Sequence, residues 1–263
     1  MVKFVSLFSG SSRNASVFRY KNTNVLIDCG GSMKQIKEGF DEIGINTDDI
    51  NALFITHSHI DHINALSMLI KYTDIPVYAS YGTHEEIFDK GINMAKERRV
   101  IIPEMKGFSV GDIDVCSFKT PHDTNGSMGF NFFFGNKSAS YATDIGCIED
   151  GFKEKIMGKD FLFFESNHDI TMLKNCYRPE HLKHRILGNK GHLSNEVSAD
   201  FSVNLAKDGL KRLMLGHLSG EANTPELAYR VTDLKMKEQG IKTGKDLLLW
   251  VASRDKRSEL IEF

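Results

Sequence analysis

The amino-acid sequence predicts an α/β protein whose chemistry lies along one edge of its sheet. Three observations carry this prediction. Apolar strand-like runs alternate with helical patterns, polar residues recur where the strands end, and no repeat, low-complexity tract or linker interrupts the 263 residues. In α/β proteins, sites form at the carboxyl ends of strands. We therefore expect one domain over residues 1–263.

The N-terminal half has seven predicted strands. Their apolar runs lie at 2–8, 16–20, 24–28, 52–55, 76–79, 100–102 and 113–120. Small residues at 9–14 predict a plain hairpin turn or, alternatively, a loop that binds an anion with its backbone amides. Helical patterns start at Ser32, at about Asp61 and at Thr83. His84 in the third helix has no ligand partner nearby in the sequence, so we expect it on the surface.

The C-terminal half continues the alternation. Strands are predicted at 130–134 and 139–143, which form a hairpin, and at 161–164, 213–215 and 247–251. Helices are predicted at 148–157, 196–207 and 225–237. The segment 171–190 is expected to be partly helical and interrupted at Pro179.

The composition is that of an ordinary globular protein. Hydrophobic residues make up 41%, charged residues 26%, and the formal net charge is -2, so any nucleic-acid-binding surface must be local. The first apolar run is too short for a signal peptide, and no stretch approaches a membrane span. The cysteines lack a Cys-x-x-Cys pair, which is typical of reduced thiols. We expect a cytoplasmic protein that does not contact membranes.

The segment from Thr56 to His62 carries four potential metal ligands. In an extended chain, His57 and His59 point the same way and are able to hold one ion. Asp61 and His62 fall in the first turn of the following helix and suit a second ion. Imidazole and carboxylate ligands favour zinc, and also manganese or iron.

Three further titratable residues follow predicted strands. Asp28 precedes two glycines and either caps its loop or orients a metal ligand from behind. His122 follows a strand in the same way as His57, and we interpret it as a ligand. Asp144 ends the second strand of the hairpin in the same manner as Asp28.

Together these residues resemble the metallo-β-lactamase superfamily. The matching pieces, in order, are Asp28, the His57 to His62 motif, His122, Asp144 and His217. Further segments are similar to the bacterial YycJ/WalJ family, which is itself similar to the RNase Z and RNase J nucleases. These segments are Ser9-Gly10-Ser11-Ser12, Glu165-Ser166-Asn167-His168-Asp169, Gly191-His192-Leu193-Ser194-Asn195 and Gly216-His217-Leu218-Ser219.

The resemblance implies a four-layer αβ/βα sandwich of two mixed sheets. It implies one ion bound by three histidines and a second bound by Asp61 and two histidines, with Asp144 between them. The first set is His57, His59 and His122, and the second is Asp61, His62 and His217. Asp28 would orient the motif. The chain between Asp144 and His217 is too short for the β-CASP domain that RNase J-like enzymes insert there.

The implied chemistry is hydrolysis by a hydroxide that two divalent ions, zinc or manganese, share and activate. We assign catalysis to Asp61, Asp28 and His192, with His192 as the general acid that protonates the leaving oxygen. His192 is alternatively a structural residue before a helix, or it exchanges roles with His217.

A basic belt precedes His192 and bears on the substrate. It contains Lys174, Arg178, Lys183, Arg185 and Lys190 against the single acid Glu180. Such a belt suits a phosphate backbone, although a solvated helix face explains it equally well. We therefore expect a nuclease, with DNA favoured over RNA and 5′→3′ exonuclease action suggested by the resemblance. The alternatives are a small-molecule hydrolase for a thioester, lactone or cyclic phosphodiester, and a non-catalytic binding module.

Overall fold

The computed structural model describes residues 1–103 and 105–263, which form fourteen strands and nine α-helices. The strands are β1 (Val2–Gly10), β2 (Arg13–Tyr20), β3 (Thr23–Ile27), β4 (Ala52–Phe54), β5 (Val77–Ala79), β6 (Arg99–Ile101), β7 (Gly107–Val110), β8 (Ile113–Lys119), β9 (Met128–Phe134), β10 (Lys137–Ala142), β11 (Phe161–Glu165), β12 (Arg212–Gly216), β13 (Leu248–Val251) and β14 (Ile261–Glu262). The helices are α1 (Met33–Glu42), α2 (Ile60–Ile63), α3 (Leu66–Tyr72), α4 (Tyr81–Asp89), α5 (Phe152–Ile156), α6 (Ile170–Asn175), α7 (Glu180–Leu187), α8 (Asn195–Lys207) and α9 (Pro225–Glu238).

The strands form two mixed sheets of seven strands each. The first has the order β14-β1-β2-β3-β4-β5-β6, and the second has the order β13-β12-β11-β10-β9-β8-β7. Strands β1 to β3 and β7 to β10 are antiparallel. Strands β3 to β6 and β10 to β13 are parallel, so within each sheet their carboxyl ends share one edge.

Aromatic side chains fill the space between the sheets. Alternate residues of a strand face the same side, and accordingly Phe130, Phe132 and Phe134 of β9 are buried while Phe133 is 37% exposed. Phe132 packs on Phe18 of the other sheet, with ring centroids 5.0 Å apart. This aromatic layer holds the two sheets face to face.

Helices cover the outer face of each sheet. On the first sheet, Ile36 and Phe40 of α1 belong to the same buried cluster as Leu26 of β3. On the second sheet, Phe201 of α8 packs on Phe164 of β11, with ring centroids 5.5 Å apart. Two sheets thus lie between two helical layers, and the predicted four-layer sandwich is confirmed.

Several local predictions differ from the structure. The helix predicted at 148–157 begins only at Phe152, after a left-handed Gly151. Strands β7 and β14 were not predicted because they are short and gain their pairing from β8 and β1. The segment 9–14 contains the hairpin turn between β1 and β2, with Gly10 paired to Arg13, and Ser11 at its tip lines the cleft described below.

The prediction that His84 lies on the surface is wrong. His84 is 2% exposed, and its Nε2 lies 3.1 Å from the carbonyl oxygen of Val100. Burial lowers the pKa of His84, because the protonated ring would carry its charge at a site that water does not reach. The residue packs α4 onto β6, which nothing in its sequence neighbourhood indicates.

None of the helices in the described residues is both long and apolar enough to cross a membrane. The four cysteines are free thiols, as predicted, and Cys29 is buried.

Candidate metal centre

The seven predicted ligand residues converge at one edge of the sandwich. They come from loops at the carboxyl ends of β4, β8, β10 and β12 and from the short helix α2. Their ligand atoms form overlapping groups whose members lie within 4.8 Å of one another. Both sheets therefore contribute to the same site.

The first group consists of three imidazoles. Nε2 of His57 and Nε2 of His122 lie 3.0 Å and 3.2 Å from Nδ1 of His59. His57 and His122 are almost fully buried, whereas the His59 side chain is 30% exposed.

The second group combines a carboxylate with two imidazoles. Oδ2 of Asp61 lies 3.3 Å from Nε2 of His62 and 3.6 Å from Nε2 of His217. Asp144 lies between the two groups, since its Oδ2 is 3.4 Å from His62 Nε2 and its Oδ1 is 3.6 Å from His122 Nε2. Its Oδ1 is also 3.5 Å from Nε2 of His217.

Five histidines belong to these two groups. In each of them, the ring nitrogen that faces away from the other ligand atoms lies next to an oxygen. Nδ1 of His62 donates to Asp28, Nδ1 of His217 donates to Glu165, and both distances are 2.8 Å. The remaining partners are Thr56 Oγ1 for His57, Asp123 Oδ1 for His59 and the carbonyl oxygen of Gly191 for His122. Such outer contacts fix the ring orientation and the tautomer of metal-binding histidines.

The ligand atoms that face one another in the two groups fit divalent metal ions. Within the described part of the chain, the buried atoms Asp144 Oδ2 and His217 Nε2 have no hydrogen-bond partner. Buried polar atoms are rarely left unpaired in native structures. Imidazole nitrogens with carboxylate oxygens are the donor set of zinc and of harder divalent ions.

Electrostatics divide the histidines into two kinds. Burial lowers the pKa of His57, and burial together with His122 lowers the pKa of His59 to about 4. Burial opposes a charge on His217 as well, but the carboxylates of Asp144, Asp61 and Glu165 outweigh it and raise its pKa to about 10. The three-histidine group is therefore neutral, whereas His217 of the second group is protonated beside the carboxylates of Asp144, Asp61 and Glu165.

Three site residues share an unusual backbone conformation. Asp28 and His217 follow a strand directly, Asp144 follows β10 after one residue, and their φ angles are 59°, 58° and 58° in the order Asp28, Asp144 and His217. This left-handed region is uncommon for residues other than glycine. The turn ends each strand abruptly and leaves the side chain at the edge of the sheet, where the ligand groups meet.

Asp28 lies behind the motif rather than among the inner atoms. Its Oδ1 accepts a hydrogen bond of 2.8 Å from the backbone N–H of Thr56, while its Oδ2 accepts from Nδ1 of His62. Of the two alternatives, loop cap and orienting group, its contacts fit the orienting group.

Sequence reasoning missed Glu165 as a site residue. This fully buried carboxylate ends β11, and its Oε1 accepts hydrogen bonds of 2.8 Å from Nδ1 of both His192 and His217. Its Oε2 accepts from the backbone N–H groups of Ile145 and Leu193. The signal was available, because Glu165 ends a strand in the same way as Asp28 and Asp144.

Asn14 was also missed. Its side-chain Nδ2 lies 3.3 Å from Asp61 Oδ2 and 3.0 Å from His62 Nε2, and Gly10 holds the same amide in place. An asparagine beside a hairpin turn is common, so its sequence position carried no such signal.

A cleft of about 310 Å³ opens over the ligand groups. His192, whose side chain is 18% exposed, lines it beside Asp61, Asp144 and His217. Arg178 and Arg185 of the basic belt also line it.

The three lysines of the basic belt do not line the cleft. Lys183 is buried, and its Nζ bonds to the carbonyl oxygen of Lys174 at 2.7 Å and to Glu180 at 2.9 Å. The side chains of Lys174 and Lys190 are exposed and do not line the cleft. Only the two arginines therefore present the belt to the cleft.

Residues 23–217 match the family model described as the beta-lactamase superfamily domain. The chain belongs to this superfamily, as its motifs indicated, and is a metal-dependent hydrolase. Among its relatives, exodeoxyribonuclease YycJ of Bacillus anthracis is 33% identical over 244 residues, covering 92% of each chain. Exodeoxyribonuclease WalJ of Streptococcus pneumoniae is 32% identical over 262 residues, covering 99% of this chain and 97% of that protein.

The fold agrees with solved structures as well. The metallo-β-lactamase fold protein YhfI from Bacillus subtilis superposes with a TM-score of 0.72 at 15% identity, covering 98% of this chain and 100% of that one. At this identity the superposition shows a common fold.

Proposed function

We propose that this protein is a dinuclear metal-dependent phosphodiesterase that acts as a DNA exonuclease. The observation that carries the proposal is the pair of ligand groups that meet at Asp144 on the floor of a cleft bearing Arg178 and Arg185. The names of the YycJ and WalJ relatives, both exodeoxyribonucleases, support the reaction and the substrate.

In this proposal, His57, His59 and His122 bind one ion, and Asp61, His62 and His217 bind the other. Asp144, which lies between the two groups, would complete both ligand sets. Zinc and manganese both suit these ligands, and iron does so as well. When bound, the two ions neutralise charge on the scissile phosphate and lower the pKa of a shared water towards neutrality.

The chain itself supplies the leaving-group proton and the alignment of the ligands. His192 protonates the leaving oxygen, and Glu165 holds its ring through Nδ1, which keeps Nε2 free to face the substrate. Asp61 is a ligand and lines the cleft, and its contact with Asn14 holds the carboxylate in position. Asp28 orients His62.

The substrate is proposed to be DNA, with RNA as the lesser alternative, degraded 5′→3′. Arg178 and Arg185 would receive phosphates next to the scissile one, because a guanidinium binds phosphate with two parallel hydrogen bonds. The proposal also includes a single domain over residues 1–263, without a β-CASP insertion. It places the action of the protein in the cytoplasm.

The test uses purified protein loaded with manganese or zinc. Oligonucleotides of DNA and RNA, labelled at the 5′ or the 3′ end, are incubated beside bis(p-nitrophenyl) phosphate. The proposal expects mononucleotide release from DNA, starting at the 5′ end and abolished by a chelator. Cleavage that persists in chelator, or absence of cleavage of any nucleic acid, contradicts it.

His192 has its own test within this assay. His192→Ala should slow turnover by about 10² to 10⁴, as general acids typically do, while the protein keeps its metal. His217→Ala is the comparison variant, and we expect it to lose metal. Metal loss in His192→Ala instead would exchange the two roles.

A small-molecule hydrolase is the second candidate. It is favoured by the modest volume of the cleft and by the apolar residues Ile60, Leu182 and Ile186 in its lining. Hydrolysis of thioesters or lactones at a higher kcat/KM than any oligonucleotide would select this candidate in the same set of assays.

A further inference from the structure

One arginine beside the cleft lacks a carboxylate partner. The other arginines in this region each pair with an acid, in the pairs Arg178–Glu221, Arg185–Asp123 and Arg13–Asp255. Arg254, which follows β13 in the chain, makes no ion pair with any described residue. Its side chain makes one hydrogen bond there, from Nη1 to the carbonyl oxygen of Ser219 at 3.4 Å. A carbonyl carries no net charge, so the positive charge of Arg254 remains uncompensated.

The fold places Arg254 against the wall of the cleft. Gly10 lies directly under its side chain, because a Cβ atom on Gly10 would be 2.9 Å from Arg254 Cγ. The next residue, Ser11, lines the cleft over the ligand groups. Ser219, which accepts from Arg254, follows His217 closely in the chain. The guanidinium therefore lies just outside the cleft, on the side formed by Ser11 and His217.

The arginine is held in this position by its surroundings. The carbonyl oxygen of the preceding Ser253 accepts from the N–H of Ser9 at 2.9 Å, and that of Arg254 accepts from Nε of Arg13 at 3.4 Å. A Cβ atom at Gly220 would lie 3.0 Å from Arg254 Nη1, so the glycine makes room for the guanidinium. An arginine that is already positioned loses little conformational entropy when it binds a ligand.

A polynucleotide is longer than the cleft and has to continue across its edge. Glu221, which binds Arg178, is next in the chain to Gly220, which adjoins Arg254. Arg178 in the cleft and Arg254 outside it thus border the same short loop. A backbone with phosphates at regular intervals is able to contact both arginines. A small phosphodiester held within the cleft, whose volume is about 310 Å³, reaches only Arg178.

We propose that Arg254 binds a backbone phosphate of DNA outside the cleft, on a part of the substrate away from the scissile bond. The inference rests on the proposed function and adds a surface that favours polynucleotides over small phosphodiesters. A guanidinium binds phosphate oxygens through paired hydrogen bonds, and Nε and Nη2 of Arg254 have no partner among the described residues. Because the contact is to the backbone, it should not depend on base sequence.

The test measures binding, which is independent of turnover. A fluorescent DNA duplex with phosphorothioate linkages, which resist hydrolysis, is titrated with manganese-loaded protein and followed by anisotropy at several salt concentrations. Arg254→Gln should weaken binding about tenfold, as expected for one charged hydrogen-bonding group. It should also reduce the slope of log K against log salt by about one. Arg254→Lys keeps the charge and should keep the wild-type salt slope.

Arg257 offers a matched control in the same segment. Its Nε is paired with Glu42 of α1 at 2.8 Å, so its charge is already compensated. Arg257→Gln removes the same charge from the chain and should leave DNA affinity and its salt slope unchanged. Melting temperature and metal content are measured for every variant. A purely structural role of Arg254 would lower both in Arg254→Gln and leave the salt slope at its wild-type value.

Two results overturn the inference: a wild-type salt slope in Arg254→Gln, or an equal loss of affinity in Arg257→Gln. The nuclease assay on wild-type protein is scored separately. DNA cleavage without an Arg254 effect on binding rejects this inference alone. Arg254-dependent DNA binding without cleavage rejects the proposed function and leaves the DNA-binding surface.

Discussion

Glu165 is the residue that couples the candidate general acid to the ligand set. One carboxylate oxygen accepts from both His192 and His217, and the other is held by two backbone N–H groups. Burial alone would raise the pKa of Glu165, but the two imidazoles and their hydrogen bonds lower it, which keeps the group ionised.

Glu165→Gln should therefore impair two properties together. The amide retains the shape but loses the charge that orients both rings, and changes of this kind behind a ligand typically cost about 10- to 100-fold in metal affinity or activity. We expect lower kcat and weaker metal retention, measured by steady-state kinetics and by metal analysis after dialysis. A loss of kcat with unchanged metal affinity would mean that Glu165 serves His192 alone.

His168 is a buried histidine that the proposed mechanism does not use. It is 1% exposed, and neither ring nitrogen has a hydrogen-bond partner in the described residues. Burial lowers its pKa from 6.5 to about 4. The ring is neutral in the folded protein at pH 6, whereas in the unfolded chain it begins to take up a proton near pH 6.5.

Stability should consequently fall as the pH drops from about 6.5 towards 4. At about 1.4 kcal/mol per pH unit, the contribution of His168 approaches about 3 kcal/mol. His168→Leu has no such proton to take up, so the difference in unfolding free energy between variant and wild type should shift in favour of the variant over that range. Urea unfolding at several pH values measures this, with the exposed His181→Leu as control. A pH-independent difference for His168→Leu would contradict the expectation.

At the residue scale, the sequence predicted side chains whose chemistry is announced by clustering or by a position after a strand. His57, His59, Asp61 and His62 stand within six residues, and His122, Asp144 and His217 each follow a strand. His84 shows the reverse error, because its burial depends on packing against β6, a segment distant in the sequence. Asn14 likewise meets the site only through the pairing of β1 and β2.

At the element scale, Gly30 marks the closest approach between the end of β3 and α2. A Cβ atom at this position would lie 1.5 Å from the backbone oxygen of Asp61. The backbone N–H of Cys29 also donates to the carbonyl oxygen of His62 at 2.7 Å. The helix that carries two of the proposed ligands is thus seated directly on the chain that follows β3.

Gly30→Ala should displace α2 and weaken metal binding as well as stability. Because the obstacle is backbone rather than a flexible side chain, we expect a loss of at least about 1–3 kcal/mol in unfolding free energy. Gly39→Ala, within α1, is the control. A Cβ atom at Gly39 would meet only the flexible side chain of Leu7, at 3.1 Å. Calorimetry and metal analysis compare the two variants. Full metal retention in Gly30→Ala would show that α2 is not seated as described.

Regular elements were predictable where their apolar pattern is strong. The alternating phenylalanines of β9 and the capped helix α1, which Ser32 opens, are examples. Short elements were not, because β14 has only two residues and exists through its pairing with β1. The helix α5 is shorter than predicted because Gly151 adopts a left-handed conformation immediately before it.

At the scale of the whole molecule, the proposed ligand set is divided between the two sheets. The first sheet and its following segments supply His57, His59, Asp61 and His62, while the second supplies His122, Asp144 and His217. A bound ion therefore links the two halves of the sandwich. Metal binding therefore increases the free energy of unfolding, because the assembled site exists only in the native state.

Chelation should lower the melting temperature of the protein. An ion at one hundred times its Kd contributes about 2.7 kcal/mol, and each kcal/mol corresponds to about 2–4 °C for a domain of this size. Scanning calorimetry with and without chelator measures the shift. Asp144→Asn, which weakens the contact to both groups, should show a smaller shift. Equal melting temperatures with and without chelator in the wild type would rule out this linkage.

The compactness of the segment from His57 to His62 has a consequence for the unfolded chain. Four of the seven proposed ligand residues lie within six positions, so this peptide is able to chelate an ion before any sheet has formed. An ion held in that way stabilises the denatured ensemble and offsets part of the native stabilisation. Excess zinc during refolding would then compete with assembly, and supplying metal after the two sheets have docked would give the higher yield.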